Sequence, residues 1–234
     1  MRTRFSAACA VLLAAVLTLP LFSADKIQVV TTFSDFASIT REITGDLAHI
    51  EYLSHGDQDP HFVPPKPSLA IKVKKADLLI STGLDLEMWL TTLQDKARNN
   101  KVMDGAKGFV TASPGLEILQ KPETGGLSRS EGDVHVLGNP HIQTSPLNWI
   151  TISENILIGL KRVDPENSSI YEKNRQEFVD RVYKAMYGQE LVDMFGGEQL
   201  HELHLSGNLM DFPENEYEGE KLKAKLGGWM KKAL

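Results

Sequence analysis

The run Ile27-Gln-Val-Val-Thr-Thr32 is the first of three short β-rich segments, and these segments decide the fold class. The other two are residues 50–53 and 78–82, and the stretches between the segments carry apolar residues at helical spacing. Strands that alternate with helices in this way predict βαβ units, in which a right-handed crossover returns the chain to a parallel sheet. We therefore expect an α/β fold with a Rossmann-like lobe built on a parallel sheet.

Local signals predict where the helices around these strands begin and end. The first helix is expected to start with Ser34 as its cap and to stop at Gly45, since glycine tolerates the left-handed backbone of a helix end. The second and third helices are expected over residues 68–76 and 86–97. Residues 104–140 are rich in Gly and Pro and are interpreted mainly as loops with one or two short strands.

Two Pro residues mark helix starts in the second half of the chain. Ser145-Pro146 and Asp164-Pro165 each precede apolar residues at helical spacing, and Pro is tolerated at the first helical position. Residues 146–187 are together predicted to form a long helical spine, with Pro165 as the place for a kink. One or two short helices are expected beyond it, around residues 189–206 and 219–233, and no strand.

The amino-terminal residues 1–24 are predicted to be a secretory signal peptide. Arg2 and Arg4 precede an apolar run over residues 7–19, and small residues lead to Ala24, the expected cleavage point. The run is shorter than the ~20 apolar residues that a membrane-spanning helix needs. We expect a mature chain that does not span a membrane and that is periplasmic or otherwise extracytoplasmic.

The cysteine and charge content exclude several classes of function. Cys9 is the one cysteine of the chain and lies in the predicted signal peptide, so disulfides, cysteine nucleophiles and thiolate zinc sites are not expected. The formal net charge of −6 falls to −8 without Arg2 and Arg4, and the chain has no basic run. Nucleic acid is therefore not an expected partner. No Gly-x-Ser-x-Gly elbow and no glycine-rich phosphate loop is present.

His61 lies in the loop His55-Gly-Asp-Gln-Asp-Pro-His61-Phe-Val-Pro-Pro-Lys-Pro, directly after the second predicted strand. Loops at the carboxyl ends of parallel strands are where such sheets bind ligands. The prolines stiffen this loop, so an imidazole displayed from it loses little entropy on binding. Judged on this loop alone, a histidine with one hydrogen bond and no ligand is an equal alternative.

A second Pro-His pair closes the run Gly132-Asp-Val-His135-Val-Leu-Gly-Asn-Pro-His141, just ahead of a helix start. Two such pairs at strand-to-helix turns are less expected by chance than one, and neutral imidazole suits zinc first, then manganese or iron. We interpret His61 and His141 as metal ligands, and His135 as a weaker third candidate whose alternative is a partly buried strand histidine. Two nitrogens do not complete a site, because structural zinc takes four ligands and catalytic zinc usually three plus water.

The ordered set of motifs resembles the metal-binding solute-binding proteins of zinc and manganese ABC importers, the ZnuA and TroA type. The resemblance covers residues 26 to about 232. It is carried by Val29-Val-Thr-Thr-Phe33, Gly56-Asp-Gln-Asp-Pro-His61, Ala76-Asp-Leu-Leu-Ile-Ser-Thr-Gly-Leu-Asp-Leu-Glu-Met-Trp-Leu90 and Gly138-Asn-Pro-His141. It implies two α/β lobes bridged by a long rigid helix, a metal ion in the cleft between them, no catalytic turnover, and an ABC importer permease as partner. It also implies that His61 and His141 are the ligands of the first lobe.

Two departures from the family pattern affect the expected site. Residues 142–146, Ile-Gln-Thr-Ser-Pro, follow His141 where the family usually has an aromatic or aliphatic residue and then Trp-Leu-Asp-Pro. The chain also stops at Leu234, where the family would continue into a second lobe with a third histidine and a carboxylate ligand. The expected domains are a signal peptide 1–24, a metal-binding lobe 25–145, a bridging helix 146–187, and a short helical remnant 188–234 that leads to a missing second lobe.

His201 and His204 are considered as substitute ligands, because a separation of three places them on one face of a helix. The surrounding residues Glu198, Gln199 and Glu202 favour an ordinary solvated face instead. Other residues near the motifs receive less specific roles. Asp57 and Asp59 are candidate oxygen ligands for which turn formation is the commoner role, Glu87 and Trp89 are assigned to packing, and the run 216–220 is interpreted as a charged surface loop.

The sequence therefore favours extracytoplasmic binding of a divalent transition metal, zinc first and manganese next, for delivery to an ABC importer. One alternative is a truncated, degenerate homologue with weak or no metal binding. Another, from a different class, is a zinc-dependent hydrolase. The hydrolase needs a third ligand and a general base that the sequence does not display in a known spacing.

Overall fold

The computed structural model describes residues 26–121 and 135–212 together with the short strands Glu216–Tyr217 and Glu220–Lys221. The predicted signal peptide, residues 1–24, lies outside the described residues, as does most of the predicted helix over 219–233. Those two expectations remain predictions.

A sheet of four parallel strands in the order β2-β1-β3-β4 forms the centre of the fold. The strands are β1 (Ile27–Phe33), β2 (Ala48–Ser54), β3 (Leu78–Ser81) and β4 (Phe109–Thr111). Three of them match the predicted runs, and β4 is a short strand within the loop-rich stretch. The chain passes from β1 to β2 in one direction and continues through β3 to β4 in the other. This doubly wound order, with its switch point between β1 and β3, confirms the predicted α/β class.

Helices cover both faces of the sheet. They are α1 (Ser34–Thr44), α2 (Pro67–Lys75), α3 (Trp89–Ala97), α4 (Asn148–Val163), α5 (Ser168–Tyr187), α6 (Gln189–Phe195) and α7 (Gly197–Leu205). Helices α1, α4 and α5 pack on one another on one side, and α2 and α3 pack together on the other. Among the residues that the structure describes, no helix combines the length and the apolar character needed to cross a lipid bilayer.

The central strand β3 shows why the sheet is so readily recognised in the sequence. Leu78, Leu79 and Ile80 are each fully buried, because helices cover both faces of a parallel sheet and leave no solvated side. Full burial of such a side chain contributes about 1.5–3 kcal/mol. The same double coverage gives an uninterrupted apolar run in place of an alternating one.

The start of α1 differs from the prediction, whereas its end agrees. Ser34 is the first helical residue, Phe33 occupies the cap position with an extended backbone, and no side chain caps the helix. The predicted Ser34 cap is wrong because β1 runs directly into α1, so that the cap position falls on the last strand residue. Gly45 follows the helix with φ of 52°, in the left-handed region that glycine tolerates.

The predicted spine over residues 146–187 consists of two antiparallel helices, α4 and α5, joined by a 3₁₀ turn at Pro165–Asn167. Pro165 has no backbone N–H to continue the hydrogen bonds of α4, so the chain leaves the helix at Asp164 and turns back. Arg175 on α5 then donates to Ser153 Oγ and the Ile150 carbonyl on α4, both at 3.1 Å. Helix α5 alone is about 30 Å long at the usual rise per residue. The bridging role of this segment remains a prediction.

Beyond α5 the chain forms two short helices and a minimal pair of strands. Helices α6 and α7 occupy the region predicted to be helical around residues 189–206, separated at Gly196. Strands β5 (Glu216–Tyr217) and β6 (Glu220–Lys221) pair in antiparallel fashion. The expectation of no strand here, and of a loop over residues 216–220, is therefore wrong. Two-residue strands are too short to give the alternation by which strands are recognised in a sequence.

Candidate metal centre

Both predicted ligands lie in loops at the carboxyl edge of the sheet. His61 is in the connection from β2 to α2, and His141 is in the connection from β4 to α4, just before a 3₁₀ turn at Ile142–Thr144. His135 lies in the same connection as His141 and belongs to no strand, so the alternative role of strand histidine does not apply to it. The parallel strands bring the two loops to one side of the sheet.

The side chains of His61, His135 and His141 converge there. Each offers one ring nitrogen, and the three nitrogens lie within 4.8 Å of one another. Nε2 of His61 lies 3.3 Å from Nε2 of His135. Two nitrogens held by one tetrahedral zinc ion at about 2.0–2.1 Å are themselves about 3.3–3.4 Å apart. The donor atoms therefore fit a zinc-sized ion after a small adjustment of the three rings.

The two Pro-His pairs share one local backbone device. The backbone N–H of His61 donates to Oδ1 of Asp59 at 2.9 Å, and the backbone N–H of His141 donates to Oδ1 of Asn139 at 3.0 Å. In both cases an Asx side chain two residues ahead closes the turn, which is a common use of Asp and Asn. The prediction of a turn-forming role for Asp59 is confirmed.

Asp59 also orients the ring of His61. Its Oδ1 lies 2.7 Å from Nδ1 of His61, so the imidazole carries its proton on Nδ1 and keeps the lone pair of Nε2 for an ion. Carboxylate-to-histidine contacts of this kind orient metal-binding histidines. Hydrogen bonds from the His61 backbone N–H, and then from its ring, lower the pKa of Asp59. The carboxylate thus remains ionised in mildly acidic solution.

Trp89 ties the His61 loop to the rest of the lobe. Its indole Nε1 donates to the carbonyl oxygen of Pro60 at 2.8 Å, one residue before His61. The sequence interpretation of Trp89 as a packing residue did not include this contact. Its partner lies 29 residues away, so no local pattern indicates it.

Glu87 fastens the ends of two strands close to this edge. Its Oε1 accepts from the backbone N–H of Thr82 at 2.6 Å and from Oγ1 of Thr32 at 2.7 Å. Burial raises the pKa of Glu87, against the opposing effect of those hydrogen bonds. The side chain does not belong to the histidine cluster, and its predicted role in packing and lobe structure agrees with these contacts.

Two side chains of α4 hold the turn after His141. The amide of Asn148 donates to the Ile142 carbonyl at 2.9 Å, and the indole of Trp149 donates to the Gln143 carbonyl at 2.8 Å. Burial lowers the pKa of His141, and the neighbouring His61 and His135 lower it further, against an opposing effect of Asp59. The His141 ring therefore stays neutral, and able to bind a cation, at a lower pH than an ordinary imidazole.

A cleft of about 430 Å³ opens beside His141 and is bordered on its other side by His201 and His204 of α7. His201 is half-buried, and its Nδ1 lies 3.1 Å from the hydroxyl of Tyr187. Burial, and then the neighbouring His204, lower the pKa of His201. The predicted solvated face is thus only partly correct, since His204 is exposed and His201 is not. Neither residue belongs to the three-histidine cluster found among the described residues.

Known proteins with similar sequences and structures share the region that contains the cluster. The family model described as zinc-uptake complex component A, periplasmic, matches residues 29–186. The manganese ABC transporter substrate-binding lipoprotein PsaA of Streptococcus pneumoniae is 32% identical over 166 residues, which cover 69% of this chain and 50% of PsaA. The iron-binding protein YfeA of Yersinia pestis is 29% identical over 164 residues, which cover 70% of this chain and 48% of YfeA.

A solved structure also matches the fold of this chain. The Mn-bound periplasmic metal binding protein from Candidatus Liberibacter asiaticus is 28% identical with a TM-score of 0.53, over 68% of this chain and 53% of that one. The chain thus spans about half the length of the curated relatives it matches. All three clustered histidines lie within the matched residues 29–186, whereas His201 and His204 lie beyond them.

Proposed function

The chain belongs to the family of the periplasmic zinc-uptake complex component A. We propose that it binds a divalent transition metal outside the cytoplasm for delivery to an ABC importer. The observation that carries the proposal is the convergence of three imidazoles at the carboxyl edge of the sheet. Binding without turnover agrees with the names of the relatives, which describe substrate-binding and metal-binding proteins. Export by the signal peptide 1–24 and an importer permease as partner are parts of the same proposal.

We assign His61, His141 and His135 as the ligands, with Asp59 as the residue that orients His61. Three nitrogens leave at least one position for water or a further ligand, because zinc usually takes four. An open position suits a carrier, which has to release its ion as well as hold it. The sequence indicated His135 only as a weaker candidate. We propose it as a full ligand, because its Nε2 lies 3.3 Å from Nε2 of His61.

Zinc is the ion that this donor set favours, and manganese is second. The relatives are named for manganese and for iron, and the family is named for zinc, so membership alone leaves the ion open. Neutral imidazoles suit zinc, whereas manganese prefers sites richer in oxygen. The carboxylate nearest in the His61 loop, Asp59, is engaged with a histidine ring and is not one of the clustered donors.

The zinc hydrolase alternative gains a third nitrogen from His135, but the contacts of Asp59 weigh against it. A hydrolase needs a general base within reach of a metal-bound water. Asp59 is bound to both the backbone and the ring of His61 through one oxygen, which suits a positioning role. We therefore retain metal binding without catalysis as the function.

Zinc titration of the purified chain at pH 7.5 and pH 5.5 tests the proposal. Imidazoles bind metal only when unprotonated, and their ordinary pKa is about 6.5. The lowered pKa of His141 keeps that ring able to bind a metal ion at a lower pH than an ordinary imidazole. We expect tight binding of one ion at pH 7.5 and an affinity at least about tenfold lower at pH 5.5. Equal affinities at the two pH values would rule out histidine ligands, and no binding by a folded chain would support the degenerate homologue.

Asp59→Asn separates the orienting role of the carboxylate from its role in the turn. Asparagine preserves the turn, as Asn139 shows at the matching position before His141. The Asp59→Asn variant lacks the ionised partner of His61 Nδ1. Removal of such partners typically lowers metal affinity by about 10–100-fold. We expect about a tenfold loss in zinc titration. Asp57→Asn, in the same loop but outside the cluster, is the matched control and should leave affinity within about twofold; an equal effect of both changes would point to general loop electrostatics.

A further inference from the structure

A second pair of histidines borders the cleft beside the proposed site. His201 and His204 are three residues apart on α7, which places them on one face of the helix. Both rings lie against Tyr187: its hydroxyl is 3.1 Å from His201 Nδ1, and its ring centroid is 6.2 Å from that of His204. His141 of the first cluster lines the same cleft. Imidazoles therefore face this space from two elements of the fold.

Helix α7 is held firmly enough to present these rings in a fixed place. Leu200 is fully buried, and Gly197 approaches Tyr183 so closely that a Cβ built there would lie 2.2 Å from Cδ2 of that ring. The side of α7 that contacts α5 is thus tightly packed. The positions of His201 and His204 follow from this packing.

The hydrogen bond to Tyr187 prepares His201 for a cation. When Nδ1 carries the proton and donates to the Tyr187 hydroxyl oxygen, Nε2 keeps its lone pair. Metal-binding histidines usually donate their other N–H to an oxygen partner in this way. The side chain of His204 is exposed and lies about one helical turn further along the same face of α7.

The surroundings attract cations. Glu117 lines the cleft, and the exposed Glu198 and Glu202 lie on α7 next to the histidines. The whole chain carries a formal charge of −6. A negative environment raises the local concentration of a cation near the two imidazoles.

We propose that His201 and His204 hold a second transition-metal ion in the cleft, more weakly than the three-histidine site holds the first. Two protein nitrogens leave the rest of the coordination to water, so the second ion is bound with fewer fixed ligands. This second site goes beyond the proposed function and does not depend on it, because it shares no ligand with the first. A chain with both sites takes up two ions in separate steps.

Calorimetric titration with zinc at pH 7.5, together with equilibrium dialysis, tests this inference. The wild-type chain is expected to bind two ions, the second at least tenfold more weakly. Changing both His201 and His204 to alanine should remove the second step and leave the first within twofold, and His204→Ala alone should weaken the second step at least tenfold. His61→Ala with His141→Ala should show the reverse, with only the weak step left. His49→Ala with His55→Ala, two exposed histidines outside the cleft, is the matched control and should keep both steps.

Three results would overturn the inference. One is a single ion per wild-type chain, which leaves the proposed function intact when that ion depends on His61 and His141. Another is a second step that survives the changes at His201 and His204. The third is a change of the first step in the same variant, seen as a weaker affinity or as an altered visible spectrum of bound Co²⁺, which would make the α7 histidines ligands of the first ion. Circular dichroism of each variant verifies that the helical content of the chain is retained.

Discussion

Replacing His61 and His141 together by alanine is expected to abolish the tight binding step for zinc, with a loss of at least about a thousandfold in affinity. The change removes two of the three nitrogens that converge at the site, one from each loop. The remaining His135 can supply only one ligand to an ion that prefers four. A thousandfold loss corresponds to about 4 kcal/mol of binding free energy. Zinc titration of the variant beside the wild-type chain measures it.

Single substitutions and a control sharpen this result. His61→Ala or His141→Ala alone should lower the affinity for zinc less than the double change, because two of the three nitrogens remain. His49→Ala removes an exposed histidine on β2, away from the cluster, and should leave the affinity unchanged. If the double variant retained tight binding, His61 and His141 would not be the ligands, and the proposed function would lose the site on which it rests.

Gly108→Ala is expected to destabilise the fold by about 3 kcal/mol or more, the upper range for a single substitution that forces a clash. A Cβ at residue 108 would lie 2.2 Å from the carbonyl oxygen of Asp77 and 2.7 Å from that of Lys101. These are backbone atoms, so no side-chain rotation relieves the overlap. Gly108 also accepts from the Leu79 N–H at 2.7 Å, where β4 begins to follow β3. The edge strand would have to shift away from the sheet.

Thermal or urea unfolding followed by circular dichroism measures this effect. A loss of 3 kcal/mol corresponds to a decrease of about 6–12 °C in Tm for a chain of this size. Gly56→Ala is the matched control, because a Cβ there meets nothing within 4 Å and the backbone is not left-handed. That change should stay within about 0.5 kcal/mol of the wild-type stability. Equal stability of the Gly108 variant would mean that β4 contributes little to the fold.

The parallel sheet was predictable because its strands are buried on both faces. Leu78, Leu79 and Ile80 have no solvated side, so the apolar run is continuous and easily recognised. The two Pro-His loops were predictable for a related reason. Their Asx-Pro-His spacing sets the turn through bonds to the adjacent backbone, and the parallel topology then brings His61 and His141 to one edge.

The remaining features depend on contacts that are distant in sequence. The antiparallel packing of α4 on α5 requires Arg175 to reach Ser153, which helical periodicity alone does not reveal. The nearness of His135 to His61 joins residues 74 apart. His201 is half-buried and contacts Tyr187, 14 residues earlier, whereas the neighbouring glutamates favoured a solvated face. In each case packing between elements decided the outcome, whereas local spacing left it open.

The pairing of Asp59 with His61 has a further effect on the electrostatic field of the lobe. In the proposed function the imidazoles bind an ion in their neutral form, beside the negatively charged carboxylate of Asp59. A divalent cation bound between the three nitrogens adds two positive charges next to this carboxylate, so the local charge changes sign. The filled and empty forms then present opposite fields at the carboxyl edge of the sheet, and these extend over about a Debye length of 8 Å at physiological salt. A protein that contacts this edge meets different surfaces in the two forms, even when the backbone is the same.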